Sequence, residues 1–153
     1  MEGFGLNSIE LQEFQQNRYP YLMIDYVEEV VPGKSARGYK NLTLNEWYFP
    51  MHYPDNPNMP GALQVESLAQ MLTIAITTLP GNQGKETLFV SVEAKFKKEV
   101  LPGDRLDIET EVTSWKRGLL KGVGIGRTHG TVACEAKMTI TLPEILKQYL
   151  PTR

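Results

Sequence analysis

The segment from Ala62 to Thr78 constrains the fold more than any other part of the chain. Its apolar residues Leu63, Val65, Leu68, Ala69, Leu72, Ala75 and Ile76 spread round nearly the whole circumference of a helix instead of forming one stripe. A helix of that kind has no side to show to water and must be enclosed. The chain after it changes period: in "LFVSVEAKFKKEV", Leu88, Val90, Val92, Ala94 and Phe96 alternate with polar or mixed residues, the pattern of a half-exposed strand. "DRLDIETEV" repeats it after the Pro102-Gly103-Asp104 turn, and "LLKGVGIGR" and "TVACEAKMTITL" add two strands joined by the Thr128-His129-Gly130 turn. Connections this short predict an antiparallel meander.

Upstream, Asn7 followed by Glu10 is a capping box for a short helix over Ser8 to Gln16. "NRYPYLMIDYVEEVVPGK" reads as an entry segment and a strand that stops at Pro32-Gly33, and a second strand is expected between Ala36 and Leu44. From Asn45 to Gly61 there is neither period, but Pro50, Pro54, Pro57 and Pro60 stiffen the loop. One buried helix and about six strands make an α+β domain in which the sheet wraps the helix. With 153 residues, 41% of them hydrophobic, residues 1–153 are expected to be a single domain.

Charge and cysteine usage narrow the setting. A formal net charge of −2 leaves no basic excess for nucleic acid. The single cysteine, Cys134, cannot pair within the chain, which suits a reducing compartment. The N-terminal residues carry acids where a signal peptide needs a basic region, and no run approaches the roughly 20 apolar residues of a membrane span. A cytoplasmic protein without a membrane or nucleic-acid partner is expected.

The proline-rich loop and the buried helix together carry chemistry. His52 lies in the loop, and Glu66 lies about one turn into the most apolar helix of the chain, where an unpaired carboxylate is costly and its pKa should rise. A carboxyl held protonated can donate a proton and a neutral imidazole can accept one, which is the equipment for removing a proton while a leaving group departs. The helix start at Gly61 and Ala62 supplies free backbone N–H groups able to polarise a carbonyl oxygen, and Gly61 has no side chain to keep a ligand away. His129, at a Gly-containing turn, is expected to be structural.

The loop and helix together, "HYPDNPNMPGALQVESLAQ", resemble the signature H-F-P-x-x-P-x-M-P-G-x-L-x-x-E-x-x-A-Q of the 3-hydroxyacyl-(acyl carrier protein) dehydratases of the FabZ type, in the hotdog superfamily. "RYPYLMIDYV", "GYKNLTLNEWYF" and "AKFKKEVLPGD" are similar to further segments of that family in the same order, so the resemblance runs from about Arg18 to Thr141. It implies a hotdog fold, a curved antiparallel sheet wrapped around one long helix, and conversion of a 3-hydroxyacyl thioester of acyl carrier protein to the trans-2-enoyl thioester. It places His52 on the catalytic histidine, Glu66 on the catalytic acid and Gly61 on the glycine whose amide holds the thioester carbonyl. It also implies a homodimer whose two sites each take His52 from one subunit and Glu66 from the other, with a trimer of such dimers as the family's larger form. No cofactor or metal is implied.

Lys95, Lys97 and Lys98 are candidates for contact with an acidic carrier protein, against the plainer reading of a solvated strand edge. The depth of the acyl tunnel is expected to depend on the packing of Leu72, Ile76 and Phe89. This chain departs from the family pattern at Met51, Tyr53, Asp55 and Glu99, and at Asn17, where a histidine often stands. Two other functions fit a chain with these departures: a hotdog thioesterase, which needs no histidine in the loop, and a non-catalytic acyl-binding or accessory subunit.

Overall fold

The helix that the sequence demands is α1, Gly61–Thr77, in a computed structural model that describes residues 2–152. All of its residues are buried except Gly61, Ala62 and Glu66. Around it runs one seven-stranded antiparallel sheet built from β1 (Phe4–Leu6), β2 (Tyr26–Val31), β3 (Ser35–Asn41), β4 (Leu88–Phe96), β5 (Arg105–Lys116), β6 (Leu119–Thr128) and β7 (Thr131–Thr141). A four-residue helix, α2 (Pro143–Leu146), follows the last strand. This is the α+β, hotdog-like arrangement expected from the sequence, with one strand more than the six expected. The extra strand, β1, has three residues with a glycine at its centre and leaves no readable alternation.

Glycines on β6 let the helix approach the sheet. A Cβ on Gly122 would lie 2.6 Å from Leu72 Cδ1, and one on Gly124 would lie 3.2 Å from Leu68 Cβ, so α1 rests in a channel that side chains would fill. The opposite side of α1 is closed by irregular chain. Leu11, Met23, Ile24, Leu42, Tyr48, Phe49 and Met59 are all buried and belong to the same core, so loop segments share the enclosure that the sequence suggested for the sheet alone.

The strand order is β1-β2-β3-β5-β6-β7-β4, which corrects the expected meander. β4 pairs with β7, Leu88 opposite Thr141 through to Phe96 opposite Cys134, because the far edge of β5 is occupied by all seven residues of β3. The chain then crosses from one edge to the other. Lys97 N–H donates to Ala133 O at 2.8 Å beside β7, and Gly103 N–H donates to Leu42 O at 2.6 Å just beyond β3. β5–β6 and β6–β7 are hairpins closed by Arg117-Gly118 and His129-Gly130, all four residues at positive φ, the geometry of a two-residue type I′ turn.

β4 also differs in exposure. Instead of one buried and one solvent face, it shows Leu88, Phe89, Val90, Val92 and Phe96 to solvent, from 43% to 58% exposed, and its outer edge is unpaired among the described residues. The expected N-terminal helix contracts to a single 3-10 turn, Glu10–Glu13, although the capping box forms: Asn7 Oδ1 accepts from the N–H groups of Ile9 and Glu10, and Glu10 Oε2 accepts from Asn7 N–H. The guanidinium of Arg18 donates to the carbonyls of Gln12 and Gln15 and so caps the end of this turn.

Candidate active site

Glu66 is half-buried and held from three directions. Its Oε1 accepts from Asn17 Nδ2 at 3.2 Å and from Gln70 Nε2, one turn along α1, at 2.9 Å. The Tyr21 hydroxyl faces the same carboxyl. Burial raises the pKa of Glu66 from 4.5, and the hydrogen bonds from Gln70 and Tyr21 oppose the rise without cancelling it. Burial, followed by the charge of Glu66, raises the Tyr21 phenol in turn. The carboxyl thus has the elevated proton affinity expected of a group in an apolar helix.

Sequence reasoning missed Gln70 as part of this site and assigned Asn17 and Tyr21 no role. The signal was a polar stripe at helical spacing, Glu66, Gln70 and Thr73, within a helix read for its apolar residues. Gln70 Oε1 accepts Met23 N–H at 2.7 Å, and its Nε2 donates to Tyr21 O at 2.8 Å as well as to Glu66. The entry segment before β2 is tied through this amide to the helix beneath it.

His52 sits in a loop that closes on itself. Asn58 N–H donates to His52 O at 3.0 Å, Tyr53 and Asn56 exchange backbone bonds at 3.2 and 3.0 Å, and Met59 N–H donates to Val100 O at 2.7 Å, anchoring the loop to the β4–β5 crossing. The imidazole is half-buried and stacks on Tyr53 with ring centroids 4.6 Å apart. Its Nδ1 lies 3.2 Å from the carbonyl of Asn58. A carbonyl only accepts, so this bond places the proton of the neutral ring on Nδ1 and leaves the Nε2 lone pair available as a base.

Gly61 is the first residue of α1, and the preceding Pro60 supplies no side-chain cap. The carbonyl of Pro60 accepts from Leu63 and Gln64 N–H, while the Gly61 and Ala62 amides lie at the positive end of the helix. A Cβ on Gly61 would lie 2.9 Å from Phe96 Cε1, so the ring of a β4 residue occupies the space beside this amide.

A cavity of about 50 Å³ adjoins Glu66, lined by Asn17, Gln70, Thr73, Phe89 and Ile140 among others, and His52 is not part of its wall. The acid and the imidazole thus do not line a common cavity in a single chain. Of the three residues expected to set tunnel depth, Phe89 lines this cavity. Leu72 and Ile76 are fully buried, and Leu72 points at Gly122 on the sheet, so they belong to the core.

The remaining sequence candidates fall elsewhere. Lys97 pairs with Glu135 at 3.3 Å, and Lys95 lies opposite Glu135 and shares a groove with Glu93 and Lys137, so acids partly balance this basic cluster. His129, at φ 49°, meets Asp104 Oδ1 at 2.9 Å, a structural placement. Burial pushes the Cys134 thiol up to about 11, far from a nucleophile's range. Met51 and Tyr53 are 64% and 60% exposed and Asp55 and Glu99 are exposed too, so four of the five departures lie on the surface around His52. Among the described residues no group of three His, Cys, Asp or Glu side chains is placed to hold a metal ion.

Comparison with known proteins places this geometry in context. The family described as FabA-like domain matches residues 16–137. The chain is 42% identical over 140 residues to the 3-hydroxyacyl-[acyl-carrier-protein] dehydratase FabZ of Bacillus licheniformis, covering 91% of this chain and 97% of that protein. It is 39% identical to the protein of the same name from Bacillus subtilis strain 168, with 91% and 99% covered, and 43% identical over 130 residues to that of Clostridium novyi, with 84% and 92% covered. Among solved structures, the dehydratase heterocomplex ApeI:P from Xenorhabdus doucetiae superposes with a TM-score of 0.77 at 13% identity, covering 93% of this chain and 97% of that one. A hypothetical thioesterase protein with coenzyme A from Streptococcus pneumoniae TIGR4 gives a TM-score of 0.60 at 14% identity, with 76% and 83% covered. At these identities the two structures speak to the fold alone.

Proposed function

The chain belongs to the FabA-like domain family, with the 3-hydroxyacyl-[acyl-carrier-protein] dehydratases of the FabZ type, and from that premise we propose how its residues perform the dehydration. The enzyme is a hydro-lyase that converts a 3-hydroxyacyl thioester of acyl carrier protein to the trans-2-enoyl thioester and water. The observation that carries the reading of the residues is the state of Glu66: a carboxyl on an otherwise apolar helix, with its proton affinity raised by burial and its orientation fixed by amide donors.

The thioester oxygen accepts from the Gly61 amide, which stabilises the negative charge that develops there as the Cα proton leaves. His52 Nε2 takes that proton, with the ring held in the right tautomer by its Nδ1 bond to Asn58 O. Glu66 gives its proton to the 3-hydroxyl, the C3–O bond breaks, and water departs as the Cα–C3 double bond forms. The site is left with an imidazolium and a carboxylate, and loss of one proton and gain of the other restore it. Each step is a proton transfer or a bond polarisation, so the reaction runs on the protein's own groups.

His52 and Glu66 of one site come from two subunits. β4 supports this arrangement, since its unpaired edge and its row Leu88, Phe89, Val90, Val92 and Phe96 form the apolar, hydrogen-bonding surface that a second copy would cover by two-fold pairing. Phe89 beside the Glu66 cavity and Phe96 beside Gly61 support a seam that runs along the site. Lys95, Lys97 and Lys98, at the end of β4 and just beyond Phe96, are the contact for the acidic carrier protein. Residues 1–153 act as one domain. No described helix is long and apolar enough to cross a membrane, and we place the enzyme in the cytoplasm with its carrier.

Product identity tests the reading. With a 3-hydroxyacyl carrier-protein substrate, the conjugated enoyl thioester absorbance should grow without release of free thiol. Free thiol would mean a thioesterase, and neither product would mean an accessory subunit.

A further inference from the structure

Glu66 Oε1 receives two N–H donors, from Asn17 and Gln70, and both are fixed independently of the carboxyl. Gln70 is 2% exposed and cannot turn its amide over, because its oxygen is committed to Met23 N–H at 2.7 Å. Its nitrogen therefore always faces Oε1. Asn17 is positioned by its backbone: its N–H donates to Gln15 Oε1 at 3.2 Å, its carbonyl accepts from Arg18 Nη1 at 3.0 Å, and Gln15 is itself tied to Thr73 Oγ1 of α1 at 3.2 Å. An oxygen that already accepts two N–H bonds is a poor place for a proton, because its lone-pair directions are taken and the added hydrogen would meet the donors' hydrogens.

We propose that Asn17 is a positioning residue for the acid: together with Gln70 it reserves Glu66 Oε1 as an acceptor and thereby assigns the transferable proton to Oε2. The N-terminal segment thus decides which oxygen delivers the proton. This rests on the reading of Glu66 as the acid. The titratable group that faces Glu66 is Tyr21, from the same segment. α1 contributes the neutral Gln70, and the cavity wall opposite contributes Thr87, Leu88, Phe89 and Ile140, none of which titrates.

The test is a carboxyl 13C NMR titration of Glu66 in the substrate-free protein, with the resonance assigned by its loss in Glu66→Gln. N–H bonds to a carboxylate favour the ionised form, so Asn17→Ala, which removes one donor, should raise the midpoint of Glu66 by about one pH unit. Should the segment loosen in that variant, Asn17→Asp keeps the side-chain shape and replaces the donor with a second carboxyl, which should also raise the midpoint. Circular dichroism confirms the fold of each. A midpoint that stays in place or falls in a folded variant overturns the proposal. Because the titration needs no turnover, its outcome is separate from that of the product assay.

Discussion

Gln70→Leu and Gln64→Leu are the same substitution, on the same helix, at residues 2% and 4% exposed, and the structure predicts different outcomes. Gln70 uses both ends of its amide, on Met23 N–H, Tyr21 O and Glu66. Met23 is 1% exposed, so its N–H cannot turn to water once Gln70 is lost, whereas the Tyr21 residue is 48% exposed and its carbonyl can be resolvated. An orphaned buried donor costs about 1–3 kcal/mol and each replaced hydrogen bond about 1 kcal/mol, with roughly 1 kcal/mol returned by the more apolar leucine, so Gln70→Leu should destabilise by about 2–4 kcal/mol. At about 2–4 °C per kcal/mol for a domain of this size, the Tm should fall by roughly 4–16 °C. Gln64 makes one bond, from Nε2 to Met59 O, and its oxygen is buried without a partner. Leucine there leaves the carbonyl of Met59, a residue 1% exposed, without its donor but also removes the unsatisfied oxygen, so one orphaned group replaces another and the effect should stay within about 1 kcal/mol. Urea unfolding at one fixed subunit concentration measures both. Equal losses, or a Gln70→Leu loss under about 1 kcal/mol, would refute the account of how the N-terminal segment is held to α1.

Two other outcomes follow from the site and the seam. The native pKa of Glu66 lies above 4.5, so the stability linked to its proton is fully present below about pH 4.5 and is lost as pH rises through the native value. Glu66→Gln lacks that linkage, so its Tm advantage over the wild type should widen across this window and level off above it, and an advantage independent of pH would contradict the burial. Val90→Lys on the open edge of β4 should leave a folded monomer by light scattering, with turnover reduced at least about 10²-fold as the shared site is lost, whereas a dimer of wild-type stability would place the seam elsewhere.

What could be read in the sequence followed from local pattern. α1 was legible because apolar residues all round a helix admit only one environment, and the raised proton affinity of Glu66 followed from its place in that helix. The His129-Gly130 hairpin was legible from its turn residues. The position of β4 was not, because its alternation tells which residues share a face but not which strand it pairs with, and that choice depends on β3 having occupied β5. The helix expected from the capping box ends after one 3-10 turn, and the contact at its end comes from Arg18, which lies beyond the motif and bonds the carbonyls of Gln12 and Gln15. Gln70 escaped notice for a similar reason: its partners, Tyr21 and Met23, lie 49 and 47 residues away in the chain.

Mixing two inactive variants shows whether one site draws His52 and Glu66 from two subunits. His52→Ala and Glu66→Gln should each lose about 10²-fold or more in turnover while remaining folded. After subunit exchange, verified by pull-down with two different tags, about half the dimers are mixed. Each mixed dimer then has one site with both lesions and one with neither, so activity should return to about a quarter of wild type in the mixture. If each subunit carries its own complete pair, every site in every dimer keeps a lesion, and an inactive mixture with proven exchange would contradict the account.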